Sequence, residues 1–234
     1  MLAVWKRELQ AYFRTPVAYI FMGVFLLVSG LFFTMNLLAG SGAFAQLLSS
    51  LSFLFILVVP VLTMRLLSEE RKNKTDQLLL TSPLSITAIV LGKFLAAMTV
   101  FALTLVCTFV YPIIITSFGC DIAIEAVSSY IGFFLLGAAT IAIGMFISSL
   151  AENQATAAAA TFGVLLLMWM INMLSSSVPA WLGTILDWFS LYDRYTGFGL
   201  NIMGISPIFY FLSVTALFLF LTVRSIDKRR WSEA

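Results

Sequence analysis

The distribution of lysine and arginine constrains this chain more than any other feature. Apolar stretches dominate the sequence, and twelve of the thirteen basic residues fall at the two chain ends or about the connection between the second and third of these stretches. The chain is 61% hydrophobic with a mean hydropathy of +1.04, a balance foreign to ordinary soluble domains. A helix crossing the hydrocarbon core needs roughly 20 mostly apolar residues. Six stretches meet that length: Pro16–Leu38, Leu47–Leu67, Phe94–Thr116, Val127–Leu150, Ala155–Leu174 and Pro207–Val223. Strict apolar/polar alternation is missing, which disfavours a β-barrel and leaves helices that satisfy their own backbone. The reading is an all-α integral membrane protein of six transmembrane helices, forming a single transmembrane domain over residues 1–234.

Six crossings return both termini to one side. The N-terminal flank carries Lys6, Arg7 and Arg14. The connection after the second span carries Arg65, Arg71, Lys72, Lys74 and Lys93, and the C-terminal tail carries Arg224, Lys228, Arg229 and Arg230. Only Arg194, of thirteen Lys and Arg, falls on the opposite side, with Asp121, Glu125, Asp187 and Asp193. The positive-inside rule then predicts cytoplasmic termini and a cytoplasmic basic loop in a multi-pass bacterial inner-membrane protein. Such flanking charges are ordinary for a membrane protein, so they give no reason to expect nucleic acid as a partner; the lipid bilayer is the partner they imply.

Residues 1–15 read as an amphipathic interfacial helix. Leu2, Trp5, Leu9, Tyr12 and Phe13 share one face, and Arg7, Gln10 and Arg14 share the other. Thr15 and Pro16 suit the cap and first position of the first span. That span is longer than a signal-peptide core and is expected to be retained. Pro60 predicts a kink near the end of the second span. Gly132, Gly137 and Gly144, and the run Ala155–Ala160 broken only by Thr156, predict close helix packing, joined by a tight turn at Glu152–Gln154. In the outer segment 175–206, Val178, Trp181, Leu182, Ile185, Leu186 and Phe189 repeat at helical spacing with Asp187 opposite, too short to cross and read as interfacial or re-entrant. Gly197, Gly199 and Gly204 lead into the last span.

Catalytic chemistry finds little material. Histidine is absent, and Cys107 and Cys120 lie on different elements, so neither a disulfide nor a metal site is expected. Asn36, Asn172, Thr104 and Thr108 are scattered and lack a base. No phosphate-binding G-x-x-x-x-G-K-[ST] loop occurs. A membrane-embedded enzyme is the weakest reading, and a secondary transporter is disfavoured because ionisable residues are scarce in the spans.

The polar information concentrates in a cytosolic loop, residues 68–92. Glu69, Glu70, Arg71 and Lys72 open it as a charge cluster. Lys74, Thr75, Asp76 and Gln77 follow, then Leu78, Leu79 and Leu80, and Thr81, Ser82 and Pro83 end a short helix, since proline disfavours helix in the residue before it. Three leucines outside the membrane need cover, from lipid, from neighbouring helices or from a cytosolic protein.

The runs Pro60–Arg65, Ser68–Lys72, Leu78–Pro83 and Ile89–Lys93, together with Tyr210–Trp231, resemble the membrane subunit of type-2 ABC transporters, closest to the gliding-motility-associated branch. The likeness follows the whole chain in order. Asn73–Asp76 departs from it where the family often has a glycine before the threonine. The resemblance implies a permease subunit of an ATP-driven exporter, working as a homodimer or with a sibling permease. It implies that residues Lys74–Pro83 are the coupling helix docking in a separate cytosolic ABC ATPase. ATP and magnesium would be bound there, with no cofactor in this chain. It also implies an extracytoplasmic auxiliary protein. A non-transporting anchor that uses ATPase motion mechanically fits the same residues.

Overall fold

The computed structural model describes residues 1–40, 44–72, 85–119, 122–175, 190–199 and 205–232. Among them every regular element is an α-helix: α1 (Leu2–Arg14), α2 (Pro16–Leu38), α3 (Phe44–Ser52), α4 (Leu54–Thr63), α5 (Ser68–Lys72), α6 (Ile86–Thr108), α7 (Val110–Ser117), α8 (Ala123–Leu150), α9 (Gln154–Ser175), α10 (Leu191–Gly199) and α11 (Ile205–Ser232). Among the described residues five stretches are long and apolar enough to cross a membrane: Pro16–Leu38, Ile86–Ser117, Ala123–Leu150, Gln154–Ile171 and Ser206–Lys228. The bent pair α3 and α4 makes a sixth if it counts as one span. The chain is thus a helical multi-pass membrane protein.

α8 is the central post. Some 78% of its membrane-length window is buried, against 11% for α11 and 17% for α9. Small residues on α8 let its neighbours approach. A Cβ built on Gly132 would stand 2.6 Å from the Phe198 ring on α10, and one on Gly144 would stand 2.5 Å from the Thr63 hydroxyl oxygen on α4. Gly137 meets Phe101 of α6 still more closely. Around these contacts Phe25, Phe55, Phe101 and Phe133 pack ring on ring, with Phe55 and Phe133 centroids 4.7 Å apart. The alanines of α9 behave differently from the expectation of internal packing: Ala157 is buried, but Ala155, Ala159 and Ala160 are exposed. The turn before α9 is tight, as expected, and the Asn153 side-chain oxygen accepts a hydrogen bond from the Thr156 amide at 2.9 Å.

The second span bends 55° between α3 and α4, at Phe53, not at Pro60. Pro60 lies inside α4, where Met64 still donates to its carbonyl at 2.9 Å. Two back-bonded hydroxyls stand just before the bend. The Ser50 hydroxyl donates to the Gln46 carbonyl and the Ser52 hydroxyl to the Ser49 carbonyl, at 2.9 and 2.6 Å. Hydroxyls that bond back to the preceding turn loosen and bend a helix. Phe53 then turns outward onto Trp169 of α9, with ring centroids 5.2 Å apart.

Both described termini reach the same end of the bundle. There α1 lies across the start of α6, and the Ser225 hydroxyl of α11 sits 3.2 Å from that of Ser149 on α8. At the far end, Glu125 at the start of α8 accepts from the Ala45 amide of α3 at 2.7 Å, and Phe33 stacks on Tyr111 with centroids 4.5 Å apart.

Candidate functional site

The N-terminal end of the bundle gathers the charges. α6 begins at Ile86, well before the expected span start at Phe94, because the Ser85 hydroxyl caps it by accepting from the Ala88 amide at 3.3 Å. Lys93 therefore sits inside a helix, two turns from its start, and its side chain is only 1% exposed. A buried ammonium is tolerated only when paired. Its Nζ lies 2.8 Å from Glu70 Oε1 and 3.2 Å from Glu8 Oε1. Arg7 closes the group from the solvent side, its Nη2 2.8 Å from Glu8 Oε1 and 3.5 Å from Glu70 Oε1. Two carboxylates and two cations thus tie α1, α5 and α6 into one neutral cluster.

Glu8 and Glu70 feel this cluster differently. For Glu8, burial disfavours the charged form, but Lys93 and Arg7 outweigh it and hold the carboxyl below the ordinary glutamate range. For Glu70, burial prevails over Lys93, and the nearby Glu8 charge adds to it, so its pKa is raised. On Arg7 the hydrogen bond to Glu8 raises the pKa further.

α5 has five residues, Ser68–Lys72, and almost every one is bound to a different neighbour. Glu69 Oε2 accepts from Arg65 Nε at 2.6 Å. Glu70 joins Lys93. Arg71 Nη1 donates to the carbonyls of Leu150 and Ala151, at 2.9 and 3.1 Å, satisfying the C-terminal end of α8. The amides of Leu67 and Ser68 both donate to the Ser148 hydroxyl, at 3.3 and 3.2 Å. Lys72 is exposed.

α1 is fixed to the same structure. Trp5 Nε1 donates to Thr99 Oγ1 at 3.0 Å, and the Tyr12 hydroxyl donates to the Leu62 carbonyl at 2.8 Å. Burial pushes the Tyr12 hydroxyl well up, so it stays protonated as that donor. A Cβ on Gly92 would stand 2.9 Å from the Val4 side chain, so α1 presses closely on α6. The buried face of α1 runs through Val4, Glu8 and Tyr12, while Leu2, expected on it, is 74% exposed. Thr15 holds the cap position before α2, but its hydroxyl donates back to the Ala11 carbonyl at 2.9 Å and accepts from Arg65 Nη1. Between these contacts Glu8, Tyr12, Arg65 and Glu69 line a cavity of about 20 Å³, room for one water among polar groups.

The expected charge cluster Glu69–Lys72 is thus placed by the structure on a short helix that packs into the bundle. Lys74, Thr75, Asp76, Gln77, Leu78, Leu79, Leu80, Thr81, Ser82 and Pro83 lie outside the described residues, as do Val178–Phe189 of the outer segment. The described residues on either side of this stretch are Lys72 and Ser85, and both belong to anchored elements. Sequence reasoning did not single out Glu8, gave Trp5 and Tyr12 only a place on the apolar face of α1, and left Lys93 in a loop. The signal for Glu8 was present: a carboxylate among Trp5, Leu9 and Tyr12 on an apolar stripe requires a buried cation. Among the described residues no group of His, Cys, Asp and Glu could hold a metal. The arrangement is suited to holding helices together, with its carboxylates committed to cations.

A family model described as ABC-2 family transporter protein matches residues 35–224. The match takes in α5 and Lys93 and leaves out α1 with Glu8. No curated protein matches the chain.

Proposed function

The chain belongs to the ABC-2 transporter family and is the permease component of an ABC transporter; within that role, we propose that it is an exporter subunit coupled to its ATPase through residues 74–83. The basic end of the bundle then faces the cytoplasm, as the bias of lysine and arginine requires. α1 lies along the cytoplasmic interface. Residues Lys74–Pro83 form the coupling helix, with Leu78, Leu79 and Leu80 as the apolar contact to a cytosolic ATPase subunit that binds ATP and magnesium.

The observation that carries this reading is how the loop is held. Its leading edge, α5, is tied to α1 and α6 through Glu70 and Lys93 and to α8 through Arg71. Its trailing edge is the capped start of α6. A displacement of the loop therefore acts on α1, α6 and the central α8 together, as rigid-body switching requires. An interfacial loop serving only as a connector would need no such fastening.

A second permease subunit, identical or a sibling, completes the pathway. The exposed faces of α9, with Ala155, Ala159 and Ala160, and of α11 suit close packing between helices in a bilayer. An extracytoplasmic auxiliary protein and placement in the gliding-motility-associated branch rest on the sequence runs alone.

The test is co-purification of a cytosolic ABC ATPase subunit with this chain. Leu79→Glu, outside the bilayer, leaves membrane insertion intact and loses the ATPase, while Asn73→Gln retains it. Retention of the ATPase by Glu substitutions at Leu78, Leu79 and Leu80 alike would reject the coupling assignment.

A further inference from the structure

A groove separates the start of α6 from the C-terminal part of α11 at the basic end. Its volume is about 380 Å³, and Thr87, Val90, Leu91, Leu219, Phe220 and Val223 wall it, with Arg224 and Asp227 at its mouth. That volume lies within the range of small-molecule pockets. The walls are almost wholly apolar, and the surrounding surface is too: Leu91, Leu217 and Phe220 are exposed. Arg224 is 66% exposed and lies over the Phe220 ring, its guanidinium carbon 5.2 Å from the centroid. Lys228, one turn further, is exposed as well. The first turn of α6, beside Thr87, has no acidic residue, so the positive end of the helix dipole faces the groove uncompensated by a carboxylate of its own. Asp227 opposes this, 3.9 Å from Arg224, and leaves the mouth with one net positive charge from these three side chains.

We propose that this groove retains one anionic phospholipid, with an acyl chain between α6 and α11 and its phosphate at Arg224. An apolar slot ending in a cation at the level where helices leave the hydrocarbon matches a phospholipid in both halves. Basic pockets between transmembrane helices select anionic headgroups in this way. A zwitterionic lipid gains the slot without the net charge. A soluble anion gains the charge without the slot. The site stands on the α6–α11 geometry and does not depend on how the ATPase is coupled.

The experiment uses the full chain in bilayer nanodiscs of phosphatidylglycerol and phosphatidylcholine with matched acyl chains, and counts retained lipid by native mass spectrometry. One phosphatidylglycerol is retained in preference to phosphatidylcholine. Arg224→Gln lowers that retention roughly five-fold, the factor equivalent to about 1 kcal/mol. Asp227→Asn raises it, Arg224→Lys preserves most of it, and Leu91→Trp, which fills the slot, removes it. Equal retention of the two lipids by the wild type, or no response to Arg224→Gln, overturns the proposal. So does a photo-crosslinker at residue 91 that captures residues 73–84 of this chain, or a second copy, in place of lipid.

Discussion

Lys93 Nζ lies 2.8 Å from Glu70 Oε1, and that contact joins α5, the last described helix before residue 73, to α6, the next described helix after it. The ammonium is out of solvent, while both carboxylates around it keep a small exposed edge. Such a group contributes little net stability compared with apolar packing, but removing one member strands the others. It is therefore better understood as a device that fixes which surfaces of α1, α5 and α6 meet.

Removing the cation should be severe. Lys93→Met leaves Glu8 and Glu70 adjacent with only the half-exposed Arg7 to balance them, and we expect a loss of about 3 kcal/mol, read as a lowered thermal midpoint in detergent. Adding Glu70→Gln to Lys93→Met should recover part of it, because the two sites share one interaction. Additive losses in the double variant would show that the pair is not coupled.

The opposite shifts of Glu8 and Glu70 set a pH dependence. Glu8 is held below the ordinary value of 4.5, so its ionised form stabilises the fold above that value, and the contribution disappears as pH falls through the folded value. Glu70 is raised above 4.5, so its contribution is full below that value and is lost as pH rises through the folded one. Denaturation profiles from pH 3 to 7 should show the deficit of Glu8→Gln shrinking on acidification. The deficit of Glu70→Gln should shrink in the other direction, as pH rises. Parallel profiles for the two variants would contradict the assignment.

Packing on the central helix gives a separate check. Gly132→Ala would put a methyl group 2.6 Å from the Phe198 ring, and overpacking of this kind costs about 1–3 kcal/mol. Gly163→Ala on α9 has no atom within 4 Å of the new methyl and should be tolerated. Equal thermal midpoints for the two variants would count against the α8–α10 contact.

The proposed orientation rests on the charge bias. In a background lacking Cys107 and Cys120, a cysteine at residue 73 should resist an impermeant thiol reagent in intact cells, and one at residue 121 should react. External labelling at 73 would reverse the topology.

Much of the bundle was legible in the sequence because the bilayer imposes length and hydropathy on each span. Pro16–Leu38 is found as a helix with the bounds read from hydropathy. The end of α8 at Leu150 and the tight turn after it also match. The bend of the second span was misplaced because proline is the louder signal, whereas the serine hydroxyls just before Phe53 make bonds that composition does not reveal. The start of α6 was read late because Lys93 looks like a boundary charge. Only three-dimensional proximity to Glu8 and Glu70, 85 and 23 positions away, shows it as an interior residue. The family match, spanning residues 35–224, supplies what physics alone does not: that the bundle is a transport permease.

The central claim is that the basic end of this bundle receives its ATPase through residues 74–83. The most direct measurement is photo-crosslinking in native membranes from an unnatural amino acid at position 79, with a second probe at position 34 near the far end as reference. The account predicts an adduct with an ABC ATPase subunit from position 79, changing in yield when ATP is added, and none from position 34. An ATPase adduct from position 34, or only lipid adducts from position 79 while the ATPase remains bound to the permease, would contradict it.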